Sequence, residues 1–149
     1  MSVSDLYKQV VIDHNREPRN YGELADATHT ARGLNALCGD DIRVYARIDD
    51  SGVIEAVHFD GDASAITMAA SSIMTQMTRG LTVEQALDLY ARYQQLFEPE
   101  PPSDALLEQL GDLAALSGVR AYPSRVKSAT LGWETLRAAL LGEDLASTE

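Results

Sequence analysis

The chain opens with a helical period. Leu6, Val10, Val11 and His14 share one face of residues 4–15, and Pro18 prevents continuation. "THTARGLN" then reads as a strand, with Gly33 marking a bulge. Residues 42–48 alternate strictly. Ile42, Val44, Ala46 and Ile48 face one way, and Arg43, Tyr45 and Arg47 the other, as in a half-buried strand. "DDSG" turns the chain, and residues 53–59 return as the hairpin partner. After the turn "DGDAS" the period changes. Ile66, Ala69, Ala70, Ile73, Met74 and Met77 describe an amphipathic helix with Ser64 near its N-cap and Gly80 at its end. Thr82 and Gln85 form a capping-box pattern for a helix over 83–97. "EPEPPSD" at 98–104 is a loop between helices, and one further helix runs through "DALLEQLGDLAAL". The last helix starts after Pro123, with Val126, Ala129, Trp133, Leu136 and Leu140 on one stripe. The expected fold is α+β: a small three-stranded antiparallel sheet with helices packed on one face. A single domain is expected over 1–149, with 142–149 as a flexible tail.

Composition narrows the partners. The 149 residues are 45% hydrophobic, enough for a core of ordinary size. The net charge is −11, from 12 basic and 23 acidic residues. That argues against nucleic acid and anionic membrane, and would suit a basic protein partner. The first residues lack a basic-then-apolar signal pattern, and no apolar run approaches the ~18 residues of a membrane span. One cysteine excludes an internal disulfide, so a cytoplasmic location is expected.

The candidate chemistry centres on "NALCGDD". Cys38 sits in a tight turn before Asp40 and Asp41, which disfavour its thiolate. The bland reading is a small buried hydrophobe. As a nucleophile it would need a cation or a helix N-terminus nearby. "GDAS" at 61–64 precedes a helix whose first amides could favour an anion, or it is simply a turn with a serine N-cap. In "YPSRVKSATLGW", Arg125 and Lys127 place positive charge at a helix start, against the macrodipole. Ser128 gains nothing structurally one turn in. His14, His29 and His58 show no ligand spacing and read as structural or exposed.

These segments together resemble the iron–sulfur cluster assembly family of SufU, IscU and the NifU N-terminal domain, over roughly residues 5–141. "LYKQVVIDHNREPRNYG" is similar to the opening helix and its Pro-Arg-Asn turn. "GLNALCGDDIRV", "FDGDASAITMAASSIMT" and "LSGVRAYPSRVKSATLGW" resemble the three ligand loops. Lys127, and the long stretch between 64 and 128, point to the SufU branch. The resemblance implies metal or cluster ligands at Cys38, Asp40, Ser64 and Ser128, where the family has three cysteines and an aspartate. Here 64 and 128 are serine, and Ala36 stands in place of a proline. Serine at both positions fits natural divergence or deliberate replacement; Ala36 and Gly132, which also depart from the pattern, favour divergence. A neutral hydroxyl is a poor zinc ligand, and clusters are held by thiolates. No tightly bound Zn2+ or Fe–S cluster is therefore expected, although the family implies one. The resemblance also implies that Cys38 receives persulfide sulfur from a SufS-like cysteine desulfurase, alongside other Suf assembly proteins. Arg125 and Lys127 would then offset Asp40 and Asp41. Two alternatives stand beside this. One is a metal or cluster scaffold with an incomplete ligand set. The other is a non-catalytic regulator that docks on the desulfurase.

Overall fold

A computed structural model describes residues 2–149. Helix α1 (Val3–Arg16) starts at Ser2, whose hydroxyl accepts the Asp5 amide. Strands β1 (His29–Asn35), β2 (Asp40–Ile48) and β3 (Ile54–Asp62) form an antiparallel meander. Helices α2 (Ala65–Thr78), α3 (Val83–Gln94), α4 (Asp104–Leu110) and α5 (Pro123–Leu140) follow, and β4 (Leu145–Ser147) closes the chain. The sheet order is β3-β2-β1-β4.

The α+β expectation holds, with a fourth strand added. Residues 142–149, expected as a flexible tail, instead return to the sheet. Leu145–Ser147 pair in parallel with Arg32–Leu34 of β1. This segment has no strand-like apolar alternation of its own, so its pairing depends on the edge that β1 offers.

Two glycines have roles other than those expected. Gly33 is not a bulge: the β1–β2 register runs unbroken through it to Ile42. It is glycine because α5 crosses β1 there, and a Cβ would lie 2.0 Å from Thr135 Oγ1. The sheet's irregularity falls at Arg47/Ile48 instead. Gly61 extends β3 into the expected turn, at φ 111°, where a Cβ would meet the Asp41 carbonyl oxygen at 2.3 Å.

The helix expected through residues 104–116 breaks at Gly111, which has φ 55° and ψ −127°. Gly111–Val119 then continue as a 3-10 segment that buries Leu113, Ala115, Leu116 and Val119. The expected 83–97 helix likewise tightens into a 3-10 turn over Gln95–Phe97. Its start is as expected, with both bonds of the Thr82–Gln85 capping box present.

The core lies between the sheet and α5. Ile42, Val44 and Phe59 from the strands meet Ile73 and Met74 of α2 and Leu131, Trp133 and Leu136 of α5, all essentially without exposure. The helices α2 and α5 touch closely because both carry small residues at the crossing. A Cβ on Gly132 would lie 2.2 Å from Ser71 Oγ. This crossing brings the start of α2 and the start of α5 to the same end of the sheet as the β1–β2 turn.

His14 pins α1 to this scaffold. It is buried, and its Nδ1 lies 2.7 Å from Ser72 Oγ. Ser72 Oγ also accepts the Arg19 amide at 2.8 Å. Burial first, and the Arg19 charge second, push His14 below the usual imidazole range. The unfolded chain takes up this proton near pH ~6.5 and the folded chain only lower. Stability from this group is therefore full above the unfolded value and is lost as pH falls towards the folded one. Denaturant midpoints at about pH 7.5 and about pH 5.5 should show the wild type losing more stability on acidification than His14→Gln. Equal losses would rule out His14 as the cause.

Candidate functional site

Three of the four positions singled out by sequence, Asp40, Ser64 and Ser128, converge on one polar network, and Cys38 lies on the turn beside it. That turn joins β1 and β2. Ala36–Cys38 form a single 3-10 turn, closed by Gly39 in the left-handed conformation at φ 73°. Cys38 is half-buried, and its Sγ has one polar contact, a long one of 3.8 Å to the Ser124 carbonyl. This is a turn thiol at the protein surface rather than a core residue.

Asp40 begins β2 and is 1% exposed. A buried carboxylate must be satisfied to be tolerated. Its Oδ1 accepts the Ser64 backbone amide at 2.6 Å, and its Oδ2 accepts the Thr67 hydroxyl at 2.7 Å. Ser64 is the N-cap residue of α2, as expected, but its side chain does not cap the helix. The hydroxyl lies 3.1 Å from Thr67 Oγ1 instead. Thr67 Oγ1 also lies 3.1 Å from the carbonyl of Ser128, in the second turn of α5. Because Thr67 gives its one proton to Asp40 or Ser128, Ser64 is the donor to Thr67. Ser128 itself is 2% exposed.

Thr67 is the residue that sequence reasoning missed. It touches three of the four positions and is fully buried. A weak signal was present: a hydroxyl one turn after Ser64, on the inward stripe between Ile66 and Ala70.

The cations take other places. Asp41 is held by Arg32 of β1, at 2.9 Å to Nε and 2.7 Å to Nη2. That pair, across neighbouring strands, lowers the Asp41 carboxyl below its usual range. Arg125 stacks on the Tyr122 ring, 4.6 Å from its centroid, and is exposed. Its charge also partly opposes the burial that raises Tyr7. Lys127 is half-buried, and its carbonyl accepts the Thr148 hydroxyl at 3.0 Å. No salt bridge links Arg125 or Lys127 to Asp40 or Asp41 among the described residues. The charge beside Cys38 is offset at Asp41 by Arg32.

The donor set does not fit a zinc ion or a thiolate-held cluster. It contains one thiol and one carboxylate whose two oxygens are both engaged by the network. The remaining positions are hydroxyls, and no group of three or more His, Cys, Asp or Glu with metal-binding proximity occurs among the described residues.

The fold and the three loops define a scaffold-type domain of iron–sulfur biology, and the chain belongs to the family of NifU-like N terminal domains, whose model matches residues 6–129. It is 35% identical over 143 residues to the zinc-dependent sulfurtransferase SufU of Bacillus subtilis, covering 96% of this chain and 95% of that one. It is 33% identical over 139 residues to the iron–sulfur cluster assembly scaffold protein IscU of Streptococcus pyogenes, covering 93% and 84%. The crystal structure of FiSufU from Fervidobacterium islandicum superposes with a TM-score of 0.81 at 27% identity, over 91% of this chain and 97% of that one.

Thr67→Val should cost about 1–3 kcal/mol of stability, because it leaves a buried Asp40 oxygen unpaired. Thr67→Ser, which keeps the hydroxyl, should cost less than Thr67→Val. Urea denaturation checks both. A valine variant as stable as the serine variant would show that the hydroxyl does not hold the site.

Proposed function

We propose that the chain serves iron–sulfur cluster assembly as a sulfur acceptor, taking persulfide sulfur from a SufS-type cysteine desulfurase onto Cys38. The observation that carries this reading is Cys38 itself. It is the chain's one cysteine, on a surface turn, and its thiol is engaged by a single long contact. The likeness to a sulfurtransferase over 96% of the chain supports it.

The step is a thiol exchange. The Cys38 thiolate attacks the outer sulfur of the desulfurase cysteine persulfide. The new bond joins Cys38 Sγ to that sulfur, and the old sulfur–sulfur bond breaks. The desulfurase cysteine leaves as a thiolate, and the proton originally on Cys38 goes to solvent. No outside oxidant is needed, since one sulfur–sulfur bond replaces another and the transferred sulfur keeps its oxidation level. The protein's contribution is placement. The Asp40–Thr67–Ser64 network holds the loops that frame Cys38, and Arg32 offsets the charge of Asp41. Arg125 and Lys127 lie on the exposed and half-exposed start of α5, the same helix start whose Ser124 carbonyl faces Cys38 Sγ. The relative's zinc dependence is not carried over, because two of the four ligand positions here, Ser64 and Ser128, are hydroxyls.

Incubation with a SufS-type desulfurase and cysteine should add the mass of one sulfur atom at Cys38 and speed desulfurase turnover. Cys38→Ser should lose both effects. Turnover that rises equally with Cys38→Ser would make the chain a docking regulator instead.

Elemental analysis of the purified wild type should find far less than one zinc per chain. The Ser64→Cys/Ser128→Cys double variant should gain zinc, with Cys38 and Asp40 completing a tetrahedral set. Stoichiometric zinc in the wild type, resistant to mild chelation, would overturn the mismatch.

A further inference from the structure

The turn that carries Cys38 is poorly anchored by its own residues. None of Ala36–Cys38 is buried, and Leu37 is 84% exposed. Asn35 occupies the N-cap position but makes no side-chain cap. Its amide is fully buried, and neither of its polar atoms has a partner. The Ala36 amide at the start of the turn is therefore an orphan donor that the turn cannot satisfy.

It is satisfied from the far end of the chain. Glu149 Oε1 accepts the Ala36 amide at 2.7 Å, across 113 residues. The path to this contact is built, not incidental. The Asp144 carbonyl accepts the Arg32 amide at 2.9 Å, and the Thr148 amide donates to the Leu34 carbonyl at 3.3 Å. Between them β4 pairs with β1. The Thr148 hydroxyl then donates to the Lys127 carbonyl at 3.0 Å. One short segment thus grips both sides of the thiol: the turn that bears Cys38, and the first turns of α5, whose Ser124 carbonyl faces Sγ at 3.8 Å.

We propose that Glu149 is a positioning residue for Cys38. Its carboxylate caps the Ala36–Cys38 turn and, with Thr148, clips that turn against the start of α5. A charged acceptor on a backbone amide makes one of the stronger single hydrogen bonds, so its loss shifts an exposed turn towards open forms. In the clipped form the thiol rests against α5. In the open form it is freer to solvent and reagents. The proposal rests on Cys38 being the reacting residue, but its test needs no desulfurase.

The test is the rate at which Cys38 of the full chain reacts with iodoacetamide at fixed pH. Glu149→Ala and deletion of 145–149 should each raise the rate about three- to tenfold, the range that loss of one ordinary net hydrogen bond can move at an exposed turn. Glu149→Gln keeps an acceptor oxygen and should stay within about twofold of wild type. Ala36→Pro removes the donor, and proline suits the first position of such a turn. In that background Glu149→Ala should have no effect. Three results would each overturn the proposal: an unchanged rate in Glu149→Ala, a Glu149→Gln rate equal to that of Glu149→Ala, or an undiminished Glu149→Ala effect in the Ala36→Pro chain. Glu149 is exposed, so the single variants should melt with the wild type. If the alkylation pattern holds while sulfur transfer fails, the positioning role stands and the acceptor reading falls. If transfer succeeds and alkylation does not respond, the reverse is true.

Discussion

A buried carboxylate organises this protein's functional end. Asp40 is shut away from water, and an ionised carboxyl in that place is costly unless every oxygen is met. Meeting it fixes the architecture. One oxygen calls for the amide of Ser64, the N-cap residue of α2, and the other for a hydroxyl one turn further along. That hydroxyl reaches the backbone of α5. Three separate segments are drawn together by the demands of one side chain. The positive end of the α2 dipole favours the charge in the same place.

The close crossing of α2 and α5 makes this possible. Glycine at 132 against serine at 71 lets the helix backbones approach, and glycine at 33 lets α5 lie on β1. Bulkier residues at these contacts would hold α5 away from the sheet and from α2. The core packing and the polar network therefore depend on the same small residues, although they lie at different depths.

Much of the fold was legible in the chain. Alternation at 42–48 and the 3.6-residue stripes after 65 and 123 fixed the hairpin and the two central helices to within a few residues. The failures have local causes. Gly111 takes a positive φ that periodicity cannot reveal, so a helix was read through a break. Gly33 looks like a bulge in one dimension because its reason, the Thr135 side chain, lies on a helix a hundred residues later. β4 has no pattern of its own and exists only because β1 has a free edge. At the site, Cys38, Asp40, Ser64 and Ser128 were found through resemblance, and their neighbourhood follows from the fold. Thr67 and Glu149 were hard to read for a different reason. One is a hydroxyl within an apolar stripe, and the other an acid among many, and only three-dimensional contact gives either a role.

A chain with a single thiol also has a distinctive redox character. Sulfur proteins with several thiols can discharge a persulfide internally, when a neighbouring cysteine attacks it and a disulfide closes. Here no such resolving partner exists within the molecule. Any sulfur lodged on Cys38 can be unloaded only by a nucleophile arriving from outside, and over-oxidation of the same atom has no internal rescue. The half-buried turn around Cys38 therefore governs both the lifetime of the cargo and the vulnerability of its carrier.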